Sequence, residues 1–114
     1  MSERHLSERK TFSYDEAATL LPEVRRLTED AYLKVEALGG TTSDPAAREA
    51  ADAKLTEVVT AWARALLEKG LEVKGLWLVD FDNGSGYYCW RFPEEGLQYY
   101  HSYEDGFSGR MRIQ

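Results

Sequence analysis

The chain has 114 residues, a net charge of −6 and one cysteine. A chain of this length fits one domain, 1–114, that buries roughly two thirds of its unfolded surface. The acidic balance disfavours nucleic acid as a partner, because nonspecific binding rests on Lys and Arg neutralising phosphates. The lone Cys89 excludes an internal disulfide and points to a reducing compartment. The opening MSERHLSERK is too charged for a signal peptide, and its Arg4, Arg9 and Lys10 sit among acids as in a solvated terminus. No apolar run approaches the ~20 residues of a membrane span, so a cytoplasmic protein without a membrane partner is expected.

The first predicted element is a helix over 13–38. Ser13 and Glu16 have the spacing of a capping box, and Phe12 precedes the cap. Leu20, Leu21, Val24, Leu27, Ala31, Val35 and Leu38 form one apolar stripe. Pro22 interrupts it late for a first-turn proline, which predicts a kink or a later start. Gly39-Gly40 ends the helix, and Thr41 to Ser43 reads as a turn. A second helix is predicted over 45–69, capped by Asp44 with Pro45 at its first position. Two amphipathic helices of equal length joined by a short loop predict an antiparallel hairpin.

After Gly70 the period changes. Leu71–Val73, Leu76–Phe81, Tyr87–Phe92 and Leu97–Tyr103 favour strands, with turns at 82–86 and 93–96. The expected fold is α+β in two layers: a helical hairpin over a sheet of three or four antiparallel strands within 71–103, then a C-terminal strap over 104–114. A turn at 93–96 pairs Phe92 with Leu97, Trp90 with Tyr99, Tyr88 with His101, Arg91 with Gln98 and Cys89 with Tyr100. Tyr88, Trp90, Phe92, Leu97, Tyr99, His101 and Tyr103 then share the core face, and Cys89, Arg91, Gln98 and Tyr100 the other. Aromatic residues on both faces, with helices to cover only one, predict a homodimer.

The segment from Val73 onward holds two of the three Trp, five of the seven Tyr, three of the four Phe, Cys89 and His101. The candidate site is therefore C-terminal. Cys89, Glu95 and His101, with Asp80, are the side chains that could hold a divalent metal, although their spacing matches no zinc signature. The pairing above sends Cys89 and His101 to opposite faces, which argues against a catalytic dyad and leaves Cys89 as a small buried residue. Asp80 closes an apolar run, where an Asp commonly bonds local backbone amides; as a site residue it would face Arg110 or Arg91. Gly106-Phe107-Ser108-Gly109-Arg110 could bring amides and a guanidinium to an anion, and its plainer reading is a strap pinned by Phe107 with Arg110 on Asp80, Glu94 or Glu95. Asp80, Trp90, Arg91, Tyr100 and Arg110 are the candidate ligand-contacting residues.

Phe12-Ser13 with Glu16-Ala17 and Leu20-Leu21-Pro22 begins a pattern. It continues through Val73-Lys74, Leu78-Val79-Asp80-Phe81, Cys89-Trp90-Arg91, Glu95, Tyr100-His101, Gly106-Phe107 and Gly109-Arg110. In this order and spacing the chain resembles the domain-of-unknown-function 2203 family of small prokaryotic proteins over nearly its full length. It departs at Phe92-Pro93-Glu94, where the family tends to have a glycine, and at Tyr100, where Trp is frequent. The resemblance implies the fold and the cellular class but no activity. It singles out Asp80, Cys89, Trp90, Glu95, His101, Phe107, Gly109 and Arg110. Three functions follow in order: a noncatalytic binding or interaction module using the aromatic sheet and the strap; a metal- or anion-binding protein built on His101 with Asp80, Glu95 or Cys89, or on Arg110; and an enzyme of unknown reaction.

Overall fold

A computed structural model describes residues 10–39 and 43–113. Of the basic group at the N-terminus, Arg4 and Arg9 lie outside the described residues, as does most of the turn after the first helix. Helix α1 runs Tyr14–Ala37 and helix α2 runs Pro45–Glu68. Five antiparallel strands follow in sequence order: β1 Glu72–Gly75, β2 Leu78–Asp82, β3 Gly86–Arg91, β4 Tyr99–Ser102 and β5 Met111–Arg112. One 3-10 turn, Phe107–Gly109, precedes β5. The α+β hairpin-over-sheet architecture stands, with five strands in place of three or four. Among the described residues no helix is long and apolar enough to cross a membrane.

The helix starts are those written in the chain. The Ser13 hydroxyl accepts from the Glu16 amide at 3.1 Å, and Glu16 Oε1 accepts from the Ser13 amide at 2.9 Å. Together they satisfy two donors that the first turn leaves open. Asp44 caps α2 through the Ala46 amide at 3.2 Å. Pro22 does not divide α1, which runs through it. Both helices stop before a glycine in the left-handed region, Gly39 at φ 84° and Gly70 at φ 88°.

The core lies between the hairpin and one face of the sheet. Ala17, Leu21, Val24 and Ala31 of α1 and Val58, Trp62 and Leu66 of α2 pack with Val79, Phe81 and Trp90 of the sheet. Phe12 meets Phe81 edge-on at 5.8 Å. Thr28, buried in this layer, accepts from the Trp62 indole at 2.8 Å, which satisfies the one donor of that ring.

The strand register differs from expectation by one residue. Cys89 pairs with Tyr99, Tyr88 with Tyr100 and Tyr87 with His101. The cause is the connection between β3 and β4, which occupies residues 92–98 rather than 93–96. Leu97 turns into the core, and the Gln98 carbonyl accepts from the Ile113 amide at 2.8 Å, so neither extends the β3–β4 ladder. The Arg25 guanidinium on α1 donates to the carbonyls of Glu94 at 2.7 Å and Glu95 at 3.1 Å. The Trp90 indole donates to the Glu94 carbonyl at 2.8 Å, and the Arg91 amide to the Glu94 carboxylate at 2.9 Å. Side chains alternate with period two, so this slip exchanges faces for all of β4 relative to β3. Tyr88, Trp90 and Tyr100 lie on the helix side. Tyr87, Cys89, Arg91, Tyr99 and His101 lie on the outer side.

Candidate metal centre on the outer face of the sheet

The corrected register assembles the site. Asp80 is opposite Cys89, and Cys89 is opposite Tyr99, in one row across β2, β3 and β4. One step along, Asp82, Tyr87 and His101 form the next row. His101 is therefore a diagonal neighbour of Cys89 on the same face. The expectation that these two point apart is overturned. The ligand atoms of Asp80, Cys89 and His101 all lie within 4.8 Å of one another. Asp80 and Cys89 are 0% exposed and His101 is 3% exposed.

Asp80 does not bond local backbone amides. That task falls to Asp82, which accepts from the Gly84 amide at 2.9 Å in the β2–β3 turn. Asp80 Oδ2 instead accepts from Lys74 Nζ at 3.1 Å and lies 3.2 Å from His101 Nε2. Asp80 Oδ1, fully buried, has no hydrogen-bond partner among the described residues. Buried carboxylate oxygens ordinarily find one.

The tautomer of His101 follows from its other nitrogen. Nδ1 lies 2.8 Å from the Ser102 carbonyl, which can only accept, so Nδ1 carries a proton. In the neutral ring Nε2 then directs a lone pair at Asp80. That contact needs a positive centre between the two groups, a proton or a metal ion. An Nδ1–H held by a backbone carbonyl is the usual outer support of a metal-binding histidine.

Around the trio, Lys74 ranges over the Tyr87 ring at 4.1 Å, and the Tyr87 hydroxyl donates to Glu72 at 3.1 Å. Partial burial would lower the Lys74 pKa, but the hydrogen bond and charge of Asp80, with Tyr87 and Glu72, outweigh it and raise it. Lys74 is 42% exposed and can turn away, unlike Asp80. Burial pushes the Cys89 thiol up to about 12; Asp80 pushes the same way, and Arg110 opposes both. Cys89 is thus a thiol in the metal-free protein.

Arg110 closes the other side. Its Nη1 donates to Glu94 Oε1 at 3.1 Å and approaches Cys89 Sγ at 4.0 Å, while Nη2 donates to Glu94 Oε2. The expected carboxylate partner of Arg110 is therefore Glu94. Arg110→Ala is expected to lower stability by about 1–3 kcal/mol in a urea melt, because a two-pronged, charge-assisted contact is lost at a half-buried site. A variant as stable as the parent would mean that Glu94 gains as much from water.

The remaining sequence candidates lie elsewhere. Trp90 is fully buried on the helix side, and Tyr100 is 37% exposed on that same side. Glu95 is exposed in the 92–98 loop, outside the group formed by Asp80, Cys89 and His101. Arg91 faces outward, with its guanidinium over Phe107. Lys74, Tyr87, Glu72 and Arg25 are the participants that sequence reasoning missed. Three of them carried a signal: Glu72 and Lys74 flank Val73, Asp80 and Asp82 flank Phe81, and Tyr87 stands two before Cys89, so polar or ionisable groups recur at every second position.

No curated protein and no solved structure gives a significant match to the chain. The family described as an uncharacterized conserved protein, DUF2203, matches residues 10–113, nearly the whole length, and the chain belongs to that family.

Proposed function

We propose that this is a noncatalytic, cytoplasmic metal-binding protein whose Asp80, Cys89 and His101 hold one divalent transition-metal ion. The observation that carries the reading is a buried trio of ligand atoms within 4.8 Å of one another. His101 Nε2 faces Asp80 with its Nδ1 already committed, a contact that a metal ion can bridge in place of a proton, and Asp80 Oδ1 has no partner among the described residues. Mixed nitrogen, sulfur and oxygen donors favour a borderline ion such as Zn²⁺ over Mg²⁺ or Ca²⁺. The seal over the trio supports holding an ion rather than turning over a substrate, which would need access.

Titration of tag-free protein with Co²⁺ tests this. One equivalent should bind and give a thiolate-to-cobalt absorption, and Zn²⁺ should displace it. Cys89→Ser should keep the fold, judged by circular dichroism, and lose the absorption. The thiol holds its proton up to about 12, so binding must release it. Affinity should therefore rise with pH, by roughly tenfold per unit for one proton released. No uptake, or uptake unchanged in Cys89→Ser and His101→Gln, would sink the proposal.

Self-association is a second reading. Tyr14, Tyr100 and Met111 are exposed, and Tyr100 pairs with Met111 across β4 and β5. A homodimer through this surface should dissociate in Met111→Glu, as read by light scattering; a monomeric parent ends that reading.

A further inference from the structure

The outer face carries a second arrangement, beside the buried trio and made of different chemistry. Arginines and aromatic rings alternate across β3, the 3-10 turn, β4 and β5. Arg91 lies 5.4 Å from the Phe107 ring centre, and Arg110 lies 4.1 Å from the same ring and 4.0 Å from that of Tyr99. Arg112 lies 5.6 Å from Tyr99 and donates to its hydroxyl at 3.2 Å.

The three arginines are not equivalent. Arg110, the middle one, is largely covered and neutralised by Glu94. Arg91 and Arg112 at the two ends are exposed, and neither has an acidic partner among the described residues. In a chain of net charge −6, two unneutralised guanidiniums flanking a third on one face concentrate positive charge against an acidic body. The rings supply an apolar floor beneath the guanidiniums, and the two end arginines, each more than 5 Å from its ring centre, can swing from it toward a ligand.

We infer that this ladder is a binding site for a small oxyanion-bearing ligand, a phosphate ester or a carboxylate, held by the exposed forks of Arg91 and Arg112. Guanidinium forks match the paired oxygens of both groups. The two arginines stand on strands separated by β4, roughly 10 Å apart at the backbone, and side chains of this length can converge on one anion. Arg110 keeps Glu94 and acts as the fixed centre of the stack. The ligand is small because the field beyond the ladder is negative: a long polyanion gains at three arginines and is repelled elsewhere. The site requires no ion at Asp80, so it stands or falls separately from the metal reading.

The test is a titration of the full chain, followed by nitrogen-15 NMR at the arginine Nε–H groups. The probes are inorganic phosphate, acetate, sodium chloride at matched ionic strength, and a short single-stranded oligonucleotide. Phosphate or acetate should give saturable shifts at Arg91 and Arg112, and whichever binds tighter identifies the group recognised. The double variant Arg91→Gln/Arg112→Gln should bind at least about tenfold more weakly, the loss expected when charge-assisted contacts worth over a kcal/mol are removed. Its substitutions are at exposed positions and leave the Arg110–Glu94 contact in place; Arg91→Gln alone serves if the double variant loses its dispersed spectrum. Shifts that chloride reproduces, or an affinity unchanged in the variant, overturn the inference. So does an oligonucleotide that binds tighter than phosphate, which would make this a nucleic-acid face.

Discussion

Asp80→Ala is expected to destabilise the metal-free protein by about 3 kcal/mol, at the lower end of the cost of breaking a buried charged pair. Two partners lose their acceptor, with different consequences. Lys74 is half exposed and already lies 3.6 Å from Glu72, so it can turn to that carboxylate or to water. His101 cannot follow. Its Nε2 stays buried between Tyr87 and the vacated position, with nothing to bond. The desolvation that Asp80 suffers in the parent works in the other direction, since Oδ1 is unpartnered and its removal relieves that cost. This is why the lower end of the range applies. The second half of the measurement adds Zn²⁺. The parent should gain stability by RT ln(1 + [Zn²⁺]/Kd), and Asp80→Ala should gain almost none. Urea unfolding with and without the ion gives both numbers. A variant as stable as the parent would show that His101 and Lys74 owe nothing to Asp80.

Trp90→Ala should cost more, about 3–5 kcal/mol, the scale for deleting a buried large aromatic residue. The indole is fully buried against the helices, and its ring meets Phe92 at 6.1 Å. Its N–H also donates to the Glu94 carbonyl, so deletion leaves that acceptor to the Arg25 guanidinium and removes one of the two donors that hold the loop preceding β4. Trp90→Phe separates the two contributions, because it keeps most of the volume and loses only the hydrogen bond. It should fall well short of the alanine variant. A loss below about 1 kcal/mol for Trp90→Ala would mean that the core closes over the cavity, contrary to the tight packing of protein interiors.

The helices were legible because their signals are local. Ser13 with Glu16, and Asp44 with Pro45, sit within one turn of the amides they serve. The pairing of β3 with β4 was not legible, because its determinant is distant. Residues 92–98 are shaped by Arg25 on α1, by the indole of Trp90 and by a core position for Leu97. None of this is visible in a Pro-Glu-Glu-Gly stretch that reads as a plain hairpin turn. The candidate site inherited that error. Cys89, His101 and Asp80 were all named from residue type, yet the wrong parity separated Cys89 from His101. Strand β5 was missed for another reason: two residues between glycines and the chain end carry no periodicity, and Met111–Arg112 becomes a strand only because Tyr99 and Tyr100 offer an unpaired edge. The link between Arg110 and an acid was legible, since a covered arginine needs a carboxylate and few were within reach.

The grip of Arg25 on the 92–98 loop also makes the protein unevenly sensitive to length changes. Loops that bridge elements at the surface usually accept an added or lost residue. Here one residue removed between Phe92 and Gln98, with the loop still clasped at both ends, would leave a ladder of the same kind but advance β4 by one position. Tyr100 would then arrive beside Asp80 and Cys89, and the imidazole would be carried to the helix side. Substitutions in this loop disturb packing by degrees, whereas a deletion rewrites which chemistry the outer face presents. Changes in chain length at this loop and loss of the buried trio should therefore go together.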